Sequence, residues 1–460
     1  MTLVNERILI ERPVRRLPGP KGLPLLGIML DVHRDPLRFF TDLEREFGDV
    51  VHFNLGLDPV VMLNHPRDIK HVLQDNHENY HKSKFYKPLQ PLLGGGMFLS
   101  EGKTWLEQRR TARPAFQGPR FDALANDIVS ATTDMLEGWE THARNRTSFD
   151  AMEAMMKLTL DVVMRAFFST KFTSAQANVY DALTVMLKRA EYDVWSPLSL
   201  PQWVPTRGNR EYREALAELD AFIYGVLEQR RKDPGEHHDL LSMLLAWHAV
   251  NGRADKLLRD HILSLSLAGH ETTANALSWA WYLLSEHPDV RARLQAEFDQ
   301  VLGGRKAGFA DLAKLDYARK VFEETLRLYP PVWTISRAPL ADDATGSAKI
   351  RKGTTVMLSP YVVHRRREYW PDPERFDPER FTPEMVAIRP QHGYFPFGGG
   401  PRTCLGNRFG MMEGQLIMAT IMQRFTMTLD PDCVIEPEPM ITLRPRNGVH
   451  VTVAKRRTLH

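Results

Sequence analysis

The sequence predicts a mainly α fold with small β-sheets, an α+β architecture. Helical periodicity dominates from about residue 100 to 330, strand-like pieces are confined to the stretches before and after it, and no internal repeat or low-complexity linker divides the chain. At 460 residues, length alone suggests about three domains. The unbroken pattern instead favours one large mixed domain over 1–460, with 1–30 as an extended entry segment.

Residues 17–27, LPGPKGLPLLG, carry too much Pro and Gly for a helix and should run over the surface. The apolar run 23–30 is broken by Pro24 and Gly27 and reads as loop, and no N-terminal stretch approaches the ~18 apolar residues of a membrane span or looks like a signal peptide. No membrane anchor is expected. A helix follows over about 36–47. The segment 49–66, DVVHFNLGLDPVVMLNHP, is rich in β-branched and apolar residues around Gly56 and Pro59 and reads as a hairpin. Helices then fill the middle, with breaks at 201–207 and 232–238. The longest is expected from about 255 to 287, between a polar turn and Pro288; at 1.5 Å per residue it is about 50 Å long, enough to cross a domain. Beyond 330 the chain turns rich in Pro and Arg. There TTVMLSP reads as a strand, and a last strand pair is expected around 440–453.

Hydrophobic residues at 43% and charged residues at 25% are ordinary globular values, which excludes disordered, collagen-like and coiled-coil classes. Sixty basic against 57 acidic side chains leave +3, too little for a whole-molecule electrostatic footprint, so no nucleic-acid partner is expected. Two cysteines, Cys404 and Cys433, cannot build a disulfide framework; their scarcity suits a reducing cytoplasm.

The run FPFGGGPRTCLGNRFG, 395–410, sets Cys404 among Gly398, Gly399, Gly400 and Gly406, ahead of a good helical sequence. Such a turn lets backbone approach a flat ligand, and nearby amides with a helix start lower a thiol pKa. A lone buried cysteine otherwise behaves as a small hydrophobe. A zinc site is disfavoured, since no second Cys or His stands nearby at ligand spacing.

The spacing Phe397, Gly400, Arg402, Cys404, Gly406 resembles the heme-binding signature of cytochromes P450. The resemblance implies the cytochrome P450 fold, with the long helix crossing the distal face of the heme. It makes Cys404 the axial ligand to the iron of heme b (iron protoporphyrin IX), puts Phe397 beside the sulfur with Gly398 lining the heme, and pairs Arg402 with a propionate. Ala268-Gly269-His270-Glu271-Thr272-Thr273 resembles the family's oxygen-binding segment, which implies Ala268 beside the heme and Glu271 and Thr272 as the proton-delivering catalytic pair. Independently, a mid-helix Gly costs ~1 kcal/mol against Ala, and a Thr hydroxyl can bond the carbonyl four residues back.

Glu324 and Arg327 resemble the family's Glu-x-x-Arg helix. The motif also occurs at 107–110 and 228–231, but only the third copy is followed by Tyr329-Pro330-Pro331 and Arg337. Arg380, in FDPERF, resembles the arginine that completes this structural triad. Trp105 and Arg109 lie one helical turn apart, so an indole N–H and a guanidinium can reach one carboxylate. By resemblance they and Arg337 are propionate partners; His364-Arg365, upstream of Trp370, is also in family order.

What the resemblance implies is a bacterial-type heme-thiolate monooxygenase that inserts one oxygen atom of O2 into a small apolar substrate such as a fatty acid or terpenoid. A thiolate ligand favours O–O cleavage. No flavin or iron-sulfur domain follows the signature, so NAD(P)H electrons are expected through a separate ferredoxin or flavodoxin and its reductase, guided by Lys103, Arg110, Arg113 and Arg408. Candidate pocket walls are Leu267, Val332, Trp333, Thr334, Ile335 and Ile441, with the stretches 85–98, 194–200 and 440–442; Trp333 should limit substrate size. Desaturation, C–C or C–O coupling, or a non-catalytic heme-thiolate sensor are the alternatives.

Overall fold

The computed structural model describes residues 12–13, 17–118, 120–171, 177–195, 203–233, 235, 237, 239–252 and 254–456. They form two compact units. The first comprises 1–87, 332–375 and 383–404; the second comprises 88–331, 376–382 and 405–460.

The first unit is built on a five-stranded sheet in the order Val50–Leu55, Asp58–Leu63, Thr355–Leu358, Ile335–Pro339, Tyr80–Lys82. The expected hairpin pairs antiparallel with Val50 opposite Leu63, and the expected strand 355–358 lies parallel beside it. The helix Pro36–Phe47 starts where Asp35 accepts a hydrogen bond from the Arg38 amide and Pro36 fills the first turn; it stops at Gly48, at φ 81°. Its buried Phe40 stacks on Phe53 and Trp333. Val61, Val356, Leu358 and Phe395 share the core of this unit, so the start of the cysteine run is anchored in it. The loop expected over 23–30 gives way at its end to the short helix Met29–Arg34.

The second unit is helical. Its longest helix, Asp255–Glu286, ends where expected, because the next helix opens with Pro288. Within 201–207, Thr206 caps the helix Arg207–Lys232, and after 232–238 Asp239 caps Leu240–Asn251. The long helix packs on Ala151–Phe168, where the Thr159 hydroxyl donates to the His270 carbonyl at 2.9 Å. The helix Asn407–Arg424, three residues after Cys404, packs on Arg120–Asn145 and Asp316–Leu328.

The last strand pair is corrected. Leu443–Pro445 pairs back with Pro437–Pro439, whereas His450–Lys455 pairs with Phe425–Leu429. Val451 and Val453 alternate into the interior, and Phe425 and Met427 offer the matching two-residue apolar period. Among the described residues no helix is long and apolar enough to cross a membrane.

Candidate active site

In the first unit the cysteine loop is held by its own backbone. The Cys404 amide donates to the Phe397 carbonyl at 2.9 Å, and the Gly398 amide to the Phe395 carbonyl at 2.9 Å. Gly398 and Gly400 have φ of 71° and 64°, a region costly for residues with a Cβ. A methyl on Gly400 would also overlap the Leu73 carbonyl, so the loop lies flush on the turn 71–75. The Cys404 side chain is exposed, and Phe397, Gly398 and Arg402 are half-buried. Trp370 and His364 brace the approach: the indole N–H donates to the Gly393 carbonyl at 3.2 Å, and His364 Nε2 accepts from the Phe395 amide at 2.9 Å. Arg365 pairs with Glu374 and stacks on Tyr361. His364 therefore braces this approach, and Arg365 is held beside it in sequence by Glu374 and Tyr361. Arg337, on the strand Ile335–Pro339, is largely buried and bonds the Ser336 carbonyl at 2.9 Å.

In the second unit the long helix is buried nearly all round between Leu258 and Leu284. Apart from half-exposed Tyr282 near its end, its opening is one stripe: Leu265, Ala268, Gly269 and Thr272, of which Ala268 is the most exposed. These positions share a face by the i, i+3, i+4, i+7 rule. Thr272 Oγ1 donates to the Ala268 carbonyl at 2.8 Å, the back-bond expected for a helical Thr.

Glu271 lies on another face. It is buried, its Oε1 accepts from the Thr442 hydroxyl at 2.6 Å, and that hydroxyl accepts from the Asn275 amide at 2.9 Å. Burial pushes the Glu271 carboxyl up; the Thr442 bond and the Arg444 charge oppose it. Sequence reasoning placed Thr442 only within the candidate pocket stretch 440–442 and missed Asn275 and the bonds to Glu271, because only the tertiary fold brings strand and helix together.

The structure also brings together Glu324, Arg327 and Arg380. Arg327 grips Glu324 through two bonds of 2.6 and 2.8 Å with both side chains fully buried, the Asp377 amide adds a third at 2.8 Å, and Arg380 stands 3.5 Å away. Burial raises the Glu324 carboxyl, and two guanidinium groups and one amide act against it. Trp105 and Arg109 share the half-buried face of the helix Gly102–Ala112, the guanidinium 5.8 Å from the indole ring.

The pocket expectation is corrected at Trp333, and the expected walls Ile335 and Leu267 are buried as well. Trp333 is 1% exposed, stacks on Phe40 and accepts the Ser359 hydroxyl through its carbonyl, so it belongs to the core. The cause is the two-residue period of extended chain: Val332 and Thr334 stay half-exposed while Trp333 and Ile335 turn inward. Leu267 is also buried, and Ile441 is half-exposed. Of the stretch 194–200, the first two side chains and residues 196–200 lie outside the described residues.

The family model described as "Cytochrome P450" matches residues 17–452. The chain belongs to the cytochrome P450 family. It is 35% identical to cyclooctatin synthase of Streptomyces melanosporofaciens, over 93% of this chain and 94% of the relative. It is 34% identical to cyclooctat-9-en-7-ol 5-monooxygenase of the same organism, over 90% of each. Its fold superposes on the crystal structure of the cytochrome P450DA heme domain with TM-score 0.86 at 24% identity, covering 98% of this chain and 99% of that one. This cytochrome P450 is an oxidoreductase of the monooxygenase class.

The residues present fit heme, the group the family implies. An exposed thiol stands on a loop whose left-handed glycines keep side chains out of the way. From Ala268 through Gly269 to Thr272 the open face of the long helix presents nothing larger than a threonine, which suits a flat ring.

Proposed function

We propose that this cytochrome P450 inserts one oxygen atom of O2 into a small apolar terpenoid, with NAD(P)H electrons delivered through a ferredoxin or flavodoxin and its reductase. Cys404 would hold heme b through its thiolate; Arg402, Arg337, Trp105 and Arg109 supply donors suited to its propionates, and Phe397, Gly398 and Ala268 the surfaces beside the ring. Bound heme supplies the reductive activation of O2. The chain's own part is protonic and steric. Thr272 Oγ1, on the open stripe, can accept a hydrogen bond while its own proton is held by the Ala268 carbonyl, and can pass a proton on when that bond is exchanged. Glu271, whose carboxyl burial pushes up against the opposing Thr442 bond and Arg444 charge, is the second group for proton delivery.

The observation that carries this reading is the exposed Cys404 thiol on its glycine loop, in a chain whose long helix opens mid-length along residues 265–272. The apolar character of Val332 and Ile441, both half-exposed, supports an apolar substrate, and relatives named for cyclooctatin chemistry favour a terpenoid over a fatty acid.

Reduction under carbon monoxide should give the long-wavelength Soret band of a thiolate-ligated carbonyl complex, lost in Cys404→Ser; a band of the histidine-ligated type would overturn the assignment. Aerobic turnover of a cyclic terpene with a surrogate ferredoxin system should add one oxygen atom. Loss of two hydrogens without oxygen gain would replace hydroxylation by desaturation.

A further inference from the structure

The run Leu92-Leu93-Gly94-Gly95-Gly96-Met97 crosses the long helix just before its open stripe. Its three glycines press on one face of that helix. A methyl added at Gly94 would overlap the Asp260 carboxylate, one at Gly95 would sit 3.1 Å from Leu257, and one at Gly96 would overlap Ser264 Oγ. Leu257, Asp260 and Ser264 share a face, and Ser264 is one turn, about 6 Å, before Ala268.

Side chains then bond the backbone of this segment almost atom by atom. Asp260, 2% exposed, accepts from the Gly95 amide at 2.9 Å. Arg259 donates to the Leu92 carbonyl at 2.9 Å while bonding Asp220 and Asp260. The Gln108 amide donates to the Gly95 carbonyl at 3.0 Å, and the Gln90 amide to the Gly94 carbonyl at 3.0 Å. A loop of small residues has little apolar area to hold it down, so these bonds set its position.

We propose that Asp260 is a positioning residue for specificity: by clamping residues 94–96 onto the long helix it fixes the segment Met97–Phe98–Leu99 as an end wall of the substrate space and so sets which length of apolar substrate is accepted. The proposal rests on the monooxygenase reading above. Gln108 works from the opposite side of the same loop and shares the role. Neither residue touches the reacting atoms.

The test uses the heme-loaded protein and two variants, Asp260→Ala and Gln108→Met; the first leaves Arg259 its partners Asp220 and the Leu92 carbonyl, and the second keeps side-chain volume. Binding of a monoterpene, a sesquiterpene and a diterpene hydrocarbon is followed by the Soret shift. The expected result is a change of about tenfold in the ratio of monoterpene to diterpene affinity in each variant, with the carbonyl spectrum unaltered. An affinity ratio that stays constant in both variants, whether or not all affinities weaken together, overturns the proposal. Amide hydrogen exchange decides the clamp without heme or ligand: exchange at 93–99 should rise about tenfold or more in each variant while that of residues 270–284 stays unchanged, and an unchanged 93–99 overturns it. If Asp260→Ala does not fold, Gln108→Met carries both arms. A parent protein without the thiolate-type carbonyl band would overturn the monooxygenase reading instead, and the exchange result would still stand for or against the clamp.

Discussion

Glu413 sits on the second turn of the helix that follows Cys404, fully buried, and the Thr273 hydroxyl offsets only part of its desolvation. Burial pushes its carboxyl up to about 8 from an ordinary 4.5. Between these values the folded chain keeps a proton that the unfolded chain has released, so stability falls as pH rises through that window, by ~1.4 kcal/mol per pH unit for this one group, and levels off above it. His261 and His270 act at the other end. Burial lowers both to about 4, so below 6.5 the unfolded state gains protons the fold refuses and stability falls as pH drops. Glu413→Gln should remove the upper slope: its stability relative to the parent, from urea denaturation, should improve steadily from pH ~5 to ~8. A difference independent of pH would show that Glu413 does not hold its proton in the fold. None of this was legible in the sequence, where Glu413 is one acid in a mostly apolar helix with no clear polar face. The same holds for Trp333: its bulk was legible, but which face of the extended chain it took was decided by Phe40, hundreds of residues away.

At the scale of elements, helices were legible where their ends carry local chemistry. Asp35-Pro36 and Gly48 bound one helix and Pro288 stops another, each within a few residues of sequence. Strand partners were legible only in the local hairpin 50–63, because the other pairings are settled between distant segments; the apolar period of 450–455 is silent about its partner 425–429. The open stripe of the long helix was half legible: its motif was visible, but a helix apolar on most faces gives no period from which to tell an open face from a buried one. Helix contacts also reverse the usual arithmetic for glycine. Replacing a mid-helix Gly by Ala ordinarily stabilises by ~1 kcal/mol. At Gly414, however, the added methyl would run into the Phe322 ring of the helix Asp316–Leu328. Overpacking a filled core costs ~1–3 kcal/mol, so the clash wins. Gly414→Ala should lower the thermal midpoint by several degrees, and a raised midpoint would mean that the two helices can part without penalty.

For the whole molecule, a net charge of +3 leaves little long-range field, so electrostatic guidance of an electron donor has to come from local clustering. Lys103, Arg110, Arg113 and Arg408 are all exposed in the second unit, the first three within or just after the helix that carries Trp105 and Arg109, and Arg408 at the start of the helix that follows Cys404. An acidic ferredoxin or flavodoxin approaching these cations would be accelerated at low ionic strength, and screening confines that acceleration to within ~10 Å at 0.1 M salt. Arg113→Glu changes the local charge by two units without touching a buried group, because Arg113 is exposed. With a surrogate acidic ferredoxin the first electron transfer should slow several-fold at ~10 mM salt, and the gap to the parent should close near ~0.5 M, where the Debye length falls to a few ångströms. Stopped-flow reduction under carbon monoxide reads this directly. Equal rates at low salt would place the donor's approach elsewhere, and a deficit that persisted at high salt would mean that Arg113 acts through a short-range contact instead of through its field.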